Sequence, residues 1–214
     1  MSALLVSASW TTPFAAHYRQ VRHRSSPVTC GAVATYCKHR FVISEDIAQR
    51  TEAKLKHRAK YIDAMMAARI CDALQSRLGL SEAQLQKVVV ALPSVLGCSF
   101  ESNIEPSLAK LQSRLGLSEA QLQKVVVALP SVLGYSFESN IEPKLDFLQG
   151  EVGLSLDAMR AKVLTCPAVL GYSLARRYIP RLEACREVGA DPILVVNRVQ
   201  MTDERFYASI GWER

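Results

Sequence analysis

No apolar run in the chain approaches the ~20 residues that a membrane-spanning helix requires, so no membrane association is expected. Six cysteines are present, at 30, 37, 71, 98, 166 and 185, but none forms a CxxC pair. That removes the commonest zinc and dithiol signatures. Cys98 and Cys166 fall near turns, where single thiols pack as small apolar groups. Cys30, Cys37 and His39 are close in sequence but lie in or beside a segment read below as a leader, so no metal is expected. All four histidines precede residue 58. There is no nucleophile motif, no phosphate loop and no paired-carboxylate pattern, so neither an enzyme nor a cofactor is expected. Acid is missing too: none precedes Glu45, while Arg19, Arg22, Arg24, Lys38 and Arg40 do. The net charge of +6 is therefore mostly a property of the N-terminus. An acid-free, arginine-bearing start rich in Ser, Thr and Ala has the composition of an organelle transit peptide; the plain alternative is a disordered tail. The expected destination is a mitochondrion or a chloroplast, with the leader spanning residues 1–43.

What is present is repetition. Residues 74–106 and 111–143 are paired at a spacing of 37, and in those 33 positions only Cys98/Tyr135 differs. A degraded third copy runs from Leu148 to Ala184. Pro93, Pro130 and Pro167 keep the 37-residue spacing, as do Pro106, Pro143 and Pro180, and Gly97, Gly134 and Gly171. A partial fourth copy follows at a spacing of 36. A fixed period of this length marks a stacked repeat array.

Within a unit, Ser118 and Gln121 form a capping box at a helix start. Leu122, Val125, Val126 and Leu129 follow at helical spacing. Pro130 lacks an N–H and restricts its predecessor, so the first helix stops there. "PSVLGYS" reads as a tight connection of about one 3₁₀ turn, with Gly134 free to take a positive φ. Ser136 caps a second helix whose apolar stripe is Phe137, Ile141, Leu145, Leu148 and Val152. The stripe passes through Pro143, which predicts one kinked helix rather than two short ones, closed by Gly153. One helix pair cannot cover its own apolar face, so copies stack and bury a continuous core. The expected fold class is all-α, a helical-repeat solenoid of helix–turn–helix units. The expected divisions are an N-terminal helical segment at 44–73, units at 74–110, 111–147 and 148–184, and a degenerate cap at 185–210. The segment 44–73 has room for a further worn repeat.

These units resemble the mitochondrial transcription termination factor (mTERF) family. The resemblance rests on "GLS" opening the first helix, "LPSVLGYS" between helices, "IEPKLDFLQ" in the second, the third copy "CPAVLGYSLARRYIPRLEA", and the terminal "MTDERF". It covers about residues 74–210. It implies an all-α superhelix whose concave basic surface holds double-stranded nucleic acid. It also implies organellar work on transcription initiation or termination, on splicing, or on ribosome assembly. Two departures stand out: only three clear units plus a cap, and little net positive charge within them.

Charge is uneven along the array. Units 74–110 and 111–147 are near neutral, whereas 148–186 holds six basic and three acidic residues. Phosphate binding needs several cations in one groove. Arg160, Lys162, Arg176, Arg177 and Arg181 in the third unit are the leading candidates; a solvated helix face is the bland alternative. Arg77 and Arg114 recur one period apart, as do Lys87 and Lys124, which makes ladders that could follow a backbone. Duplication alone would also produce them. Lys54, Lys56, Arg58 and Lys60 form a further basic cluster on one helix. Tyr135 and Tyr172 are expected to pack rather than stack on bases, and Asn103 and Asn140 to sit on the surface or at a cap. The expected partner is duplex DNA or structured RNA, with organellar transcription or ribosome-assembly proteins possible beside it, bound by a monomer. The competing class is a protein-binding α-solenoid scaffold acting through another organellar factor.

Overall fold

The computed structural model describes residues 31–55, 59 and 61–212. Most of the expected leader, Cys30, and Lys56, Arg58 and Lys60 lie outside the described residues. Among those described there are only helices and turns. In chain order the helices are α1 Ala32–Phe41, α2 Glu45–Ala53, α3 Ala64–Leu78, α4 Glu82–Ala91, α5 Glu105–Leu115 and α6 Glu119–Ala128. They continue with α7 Glu142–Gly150, α8 Leu156–Thr165, α9 Ile179–Val188, α10 Leu194–Asn197 and α11 Asp203–Ile210.

Local chemistry sets each boundary. Ser81 and Ser118 form complete capping boxes with Gln84 and Gln121, holding the N-termini of α4 and α6. Leu122, Val125 and Val126 are fully buried. The helix ends before Pro130, and Pro130–Gly134 makes a 3₁₀ turn. Ser136 then caps a second helix that begins with one π turn, Phe137–Ile141, before continuing as α7. The Ile141 amide reaches back to the Ser136 carbonyl at 3.2 Å. The same π turn precedes Pro106 and Pro180. A proline ring clashes with the carbonyl four residues back, and the wider turn makes room for it. Helix α3 supports this cause: Arg69 holds the proline register there, and Ala64–Leu78 is plain α-helix throughout. The expected uninterrupted second helix is thus present, with a π turn at its deformation.

Gly134 departs from expectation, because its φ is not positive. The turn glycines make room for the neighbouring unit instead. A Cβ on Gly97 would lie 3.0 Å from Ile62 Cδ1, and one on Gly171 would lie 3.5 Å from the Tyr135 hydroxyl of the preceding unit. Positive φ belongs to the other loop, at Gly79 (61°), Gly116 (60°) and Gly153 (79°).

That loop also exposes a worn unit upstream. Arg40, Val42 and Ser44 stand one 37-residue period before Arg77, Gly79 and Ser81. Val42 has φ 52°, the left-handed value of its glycine counterparts, and Ser44 caps α2 as Ser81 caps α4. Val33, Tyr36, Cys37 and Phe41 of α1 are buried. Packed structure therefore begins by residue 32 rather than at 44, because α1 carries an apolar stripe that its acid-free composition does not reveal. A β-branched residue in this region is strained by about 1–2 kcal/mol, and Val42 is 90% exposed, so little packing opposes its replacement. Val42→Gly is expected to stabilise the chain by about 0.5–1 kcal/mol after the larger unfolded-state entropy of glycine is counted. Urea denaturation measures this, and a lower midpoint would remove the strain.

The first helices α2, α4, α6 and α8 touch in succession, and the second helices form the other layer. One contiguous apolar cluster runs from Val33 to Phe206. Helices α10 and α11 close the last unit, with Phe206 fully buried.

Candidate nucleic-acid interface

The arginine ladder is a set of joints between units. Arg40, Arg77 and Arg114 end successive second helices, where a cation suits the helix dipole. Each donates to a glutamine 35 residues further on: Gln75, Gln112 and Gln149. Arg77 also pairs with Glu105 at 2.8 Å and with Glu119. The Glu105 hydrogen bond holds the Arg77 guanidinium above its ordinary pKa. Arg114 pairs with Asp146 at 3.1 Å. These side chains are 21% and 26% exposed, so their donors face the next unit.

The third-unit cations are not gathered into an open basic face. Arg160 Nε donates to the Leu115 carbonyl at 2.6 Å, capping α5, and Nη1 pairs with Asp157. A Cβ on Gly116 would lie 2.6 Å from Arg160 Nη2, so the glycine admits this cap. Gln123 makes the equivalent contact one unit earlier, to the Gly79 carbonyl at 2.7 Å. Lys162 donates to Asn197 Oδ1 at 3.3 Å. Arg177 donates to the Val199 carbonyl and stacks 4.4 Å over the Tyr172 ring. Arg181 corrects the expectation most sharply, since its side chain is 0% exposed. Its donors go to Asp203 and to the carbonyls of Arg198, Val199 and Met201, and none is open to a phosphate. Arg176 is exposed but borders a groove between α9 and α11 lined also by Glu183, Glu187, Asp203 and Glu204. The cap thus brings acids to the patch that residue counting scored as basic.

Lys87 and Lys124 are different. Both are exposed, neither forms an ion pair or hydrogen bond with any described residue, and they occupy one register on the stacked helices α4 and α6. Lys87 shares a groove between α2 and α4 with Lys54, Ile47, Gln86 and Val90, and no carboxylate among the described residues lines it. Lys54 reaches the Val90 carbonyl at 2.9 Å while remaining exposed. Arg50 stands one period before Lys87 and pairs with Asp46 at 3.0 Å. Most acids of this layer sit at the opposite, N-terminal ends of the helices, where Arg40 holds Glu82 and Arg77 holds Glu119; the exception, Glu52 in the last turn of α2, accepts from the Gly31 amide at 2.8 Å. A row of cations at repeat spacing can follow a line of phosphates without reading bases.

Sequence reasoning missed Lys144. It is 4% exposed and donates to Asn140 Oδ1 at 2.7 Å and to the Leu170 carbonyl at 2.6 Å. Loss of hydration pushes its ammonium pKa down. The available signal was divergence between the duplicates: Ser107 and Cys98 of one copy are Lys144 and Tyr135 of the other. Those two new residues meet, with the Lys144 ammonium 5.4 Å from the Tyr135 ring centroid. Tyr135 packs, as expected, and donates to Ser131 Oγ or accepts from it at 3.1 Å. Among the described residues no group of three or more His, Cys, Asp or Glu is placed to hold a metal ion, and no helix is long and apolar enough to cross a membrane.

No curated protein matches the sequence. The sequence profile of the mTERF family matches residues 61–207, which takes in every clear unit, the second helix of the worn one and most of the cap. With its helix pairs, proline-set turns and stacked layers, the chain belongs to the mTERF family.

Proposed function

We propose that this protein binds double-stranded nucleic acid in a mitochondrion or chloroplast and regulates expression of organellar genes. Family membership supports a nucleic-acid-related role of that kind. The observation that carries the binding mode is the row Lys87 and Lys124, which no described residue pairs, extended by Lys54 across a groove with no carboxylate among the described residues. Duplex phosphates lie along this row, and the bound protein obstructs or positions a polymerase or holds a folded RNA. Contacts to phosphates give affinity and register rather than sequence choice. A second reading, a scaffold for another organellar protein, is favoured by the consumption of Arg77, Arg114, Arg160, Arg177 and Arg181 in internal contacts.

Fluorescence anisotropy of the full chain with duplex DNA and duplex RNA over a salt series separates the two. Each phosphate neutralised on B-DNA contributes about 0.9 to the slope of log K against log salt. Joint Lys87→Ala and Lys124→Ala substitution is expected to lower that slope by about 1.8 and to weaken binding at low salt about tenfold or more. Absence of binding to either duplex at low salt would overturn the nucleic-acid reading and favour the scaffold.

A further inference from the structure

The turn that opens the second helix of the third unit differs chemically from its two sisters. In the first and second units the second helix begins Ser-Phe-Glu, with Glu101 and Glu138 in its first turn. In the third it begins Ser173-Leu174-Ala175, and no acid stands there. Opposite this turn, across the gap between units, the register that holds Ser107 in one copy holds Lys144 in the next. Both changes move charge in the same direction. The sister groove is neutralised by the Lys110–Glu138 pair. The groove between α7 and the third turn, lined by Asn140, Lys144, Tyr172, Ser173, Leu174 and Ala175, has no carboxylate among the described residues.

Lys144 is the unusual member. The residue is 4% exposed, and its ammonium contacts are two neutral oxygens and the Tyr135 ring. None of the described residues forms an ion pair with it. A buried charge without a counter-charge is costly, and an anion entering the groove would supply one. The opposite wall is suited to the same anion. Ser173 caps the π turn that runs on into α9, with its hydroxyl accepting from the Arg176 amide at 3.1 Å. The amides of Leu174 and Ala175 precede the first amide that donates within the helix, that of Arg177 to the Ser173 carbonyl, and so point out of the helix start. The Arg177 guanidinium backs the Tyr172 ring at 4.4 Å.

We propose that this groove seats one phosphate group, held by the Lys144 ammonium and the Leu174 and Ala175 amides. The phosphate comes either from a nucleic-acid backbone, in which case the seat rests on the function proposed above, or from a free phosphate compound. Ala175→Glu is the principal variant. It restores the residue found at this place in both sister units, at an exposed site, and an acid there suits the helix start. Lys144→Met is the second, removing the charge at similar length.

Amide NMR of the full chain, wild type and both variants, is recorded with inorganic phosphate and separately with a duplex DNA. Phosphate is expected to shift the Leu174 and Ala175 amides saturably in the wild type and in neither variant. Duplex is expected to shift the same amides, and Ala175→Glu to lower its salt slope by about 0.9, one contact. Shifts with phosphate but no duplex binding would keep the seat, make a free phosphate its source and overturn the nucleic-acid reading. Unmoved amides with phosphate, together with duplex binding of wild-type slope in both variants, would overturn the seat and leave that reading standing. Amides unmoved by either probe would overturn the seat.

Discussion

Arg181→Ala is expected to release the C-terminal cap, at a cost of about 3 kcal/mol or more, because it breaks a buried charge network from one side. The guanidinium is 0% exposed. Nε and Nη2 lie 3.1 and 2.7 Å from Asp203 Oδ1. Nη1 serves the Arg198 carbonyl at 3.0 Å, and Nη2 the Met201 carbonyl at 2.6 Å. The same group lies 4.5 Å over the Phe206 ring. One planar fork thus satisfies the chain that leaves α10, positions the N-terminal turn of α11 and roofs the last core aromatic. Alanine leaves those carbonyls without their donor, leaves the half-exposed Asp203 only the longer 4.0 Å pair with Arg177, and opens a void over Phe206. Lysine is expected to recover only part of the loss, since one ammonium cannot span the same acceptors. Hydrogen exchange is the direct readout: amides at 194–210 are expected to lose protection in Arg181→Ala while those of α4 and α6 keep theirs. Wild-type protection across 194–210 would show that the fork does not hold the cap.

Leu122→Ala is expected to cost about 3 kcal/mol, with consequences spread along the stack rather than confined to one end. Leu122 is 0% exposed in α6, which touches α4 on one side and α8 on the other. In a repeat array the stability is close to a sum of unit and interface contributions. A cavity in a central helix weakens both of its interfaces, whereas loss of the Arg181 fork weakens a terminal one. The urea midpoint should fall for the whole transition, and exchange should accelerate in α4 and α8 as well as in α6. Acceleration in α6 alone would mean that the units do not support one another. Leu85→Ala makes the matched comparison, because α4 and α6 are identical in sequence and both leucines are fully buried.

The parts of the fold that were legible before the structure are those whose cause lies within a few residues. A serine cap, a glutamine three residues on and a helix-stopping proline are local chemistry, and they recur where the period puts them. The worn first unit was harder to read because its punctuation has eroded. Val42 replaces the loop glycine and Lys56 stands where Pro93 stands in the next unit, while the buried stripe Val33, Cys37 and Phe41 persists. A positive φ at Val42 is a backbone fact that no residue type announced.

Charges were read least well, and for a physical reason. The acceptor for Arg77 is 35 residues away in Gln112, and the acid that fixes Arg181 is Asp203 in the cap. Such partners are set by stacking, so a count of basic residues along the third unit could not separate a phosphate contact from a joint.

By itself the sequence determined the helix pairs, their 37-residue period and the all-α stack, because caps, prolines and apolar spacing act within one unit. Tertiary structure alone decided which cations are free. Stacking turned Arg77, Arg114, Arg160 and Arg181 inward to carbonyls and carboxylates of neighbouring units, buried Lys144 without a counter-charge among the described residues, and left Lys87 and Lys124 exposed on helices α4 and α6, where no described acid pairs with them.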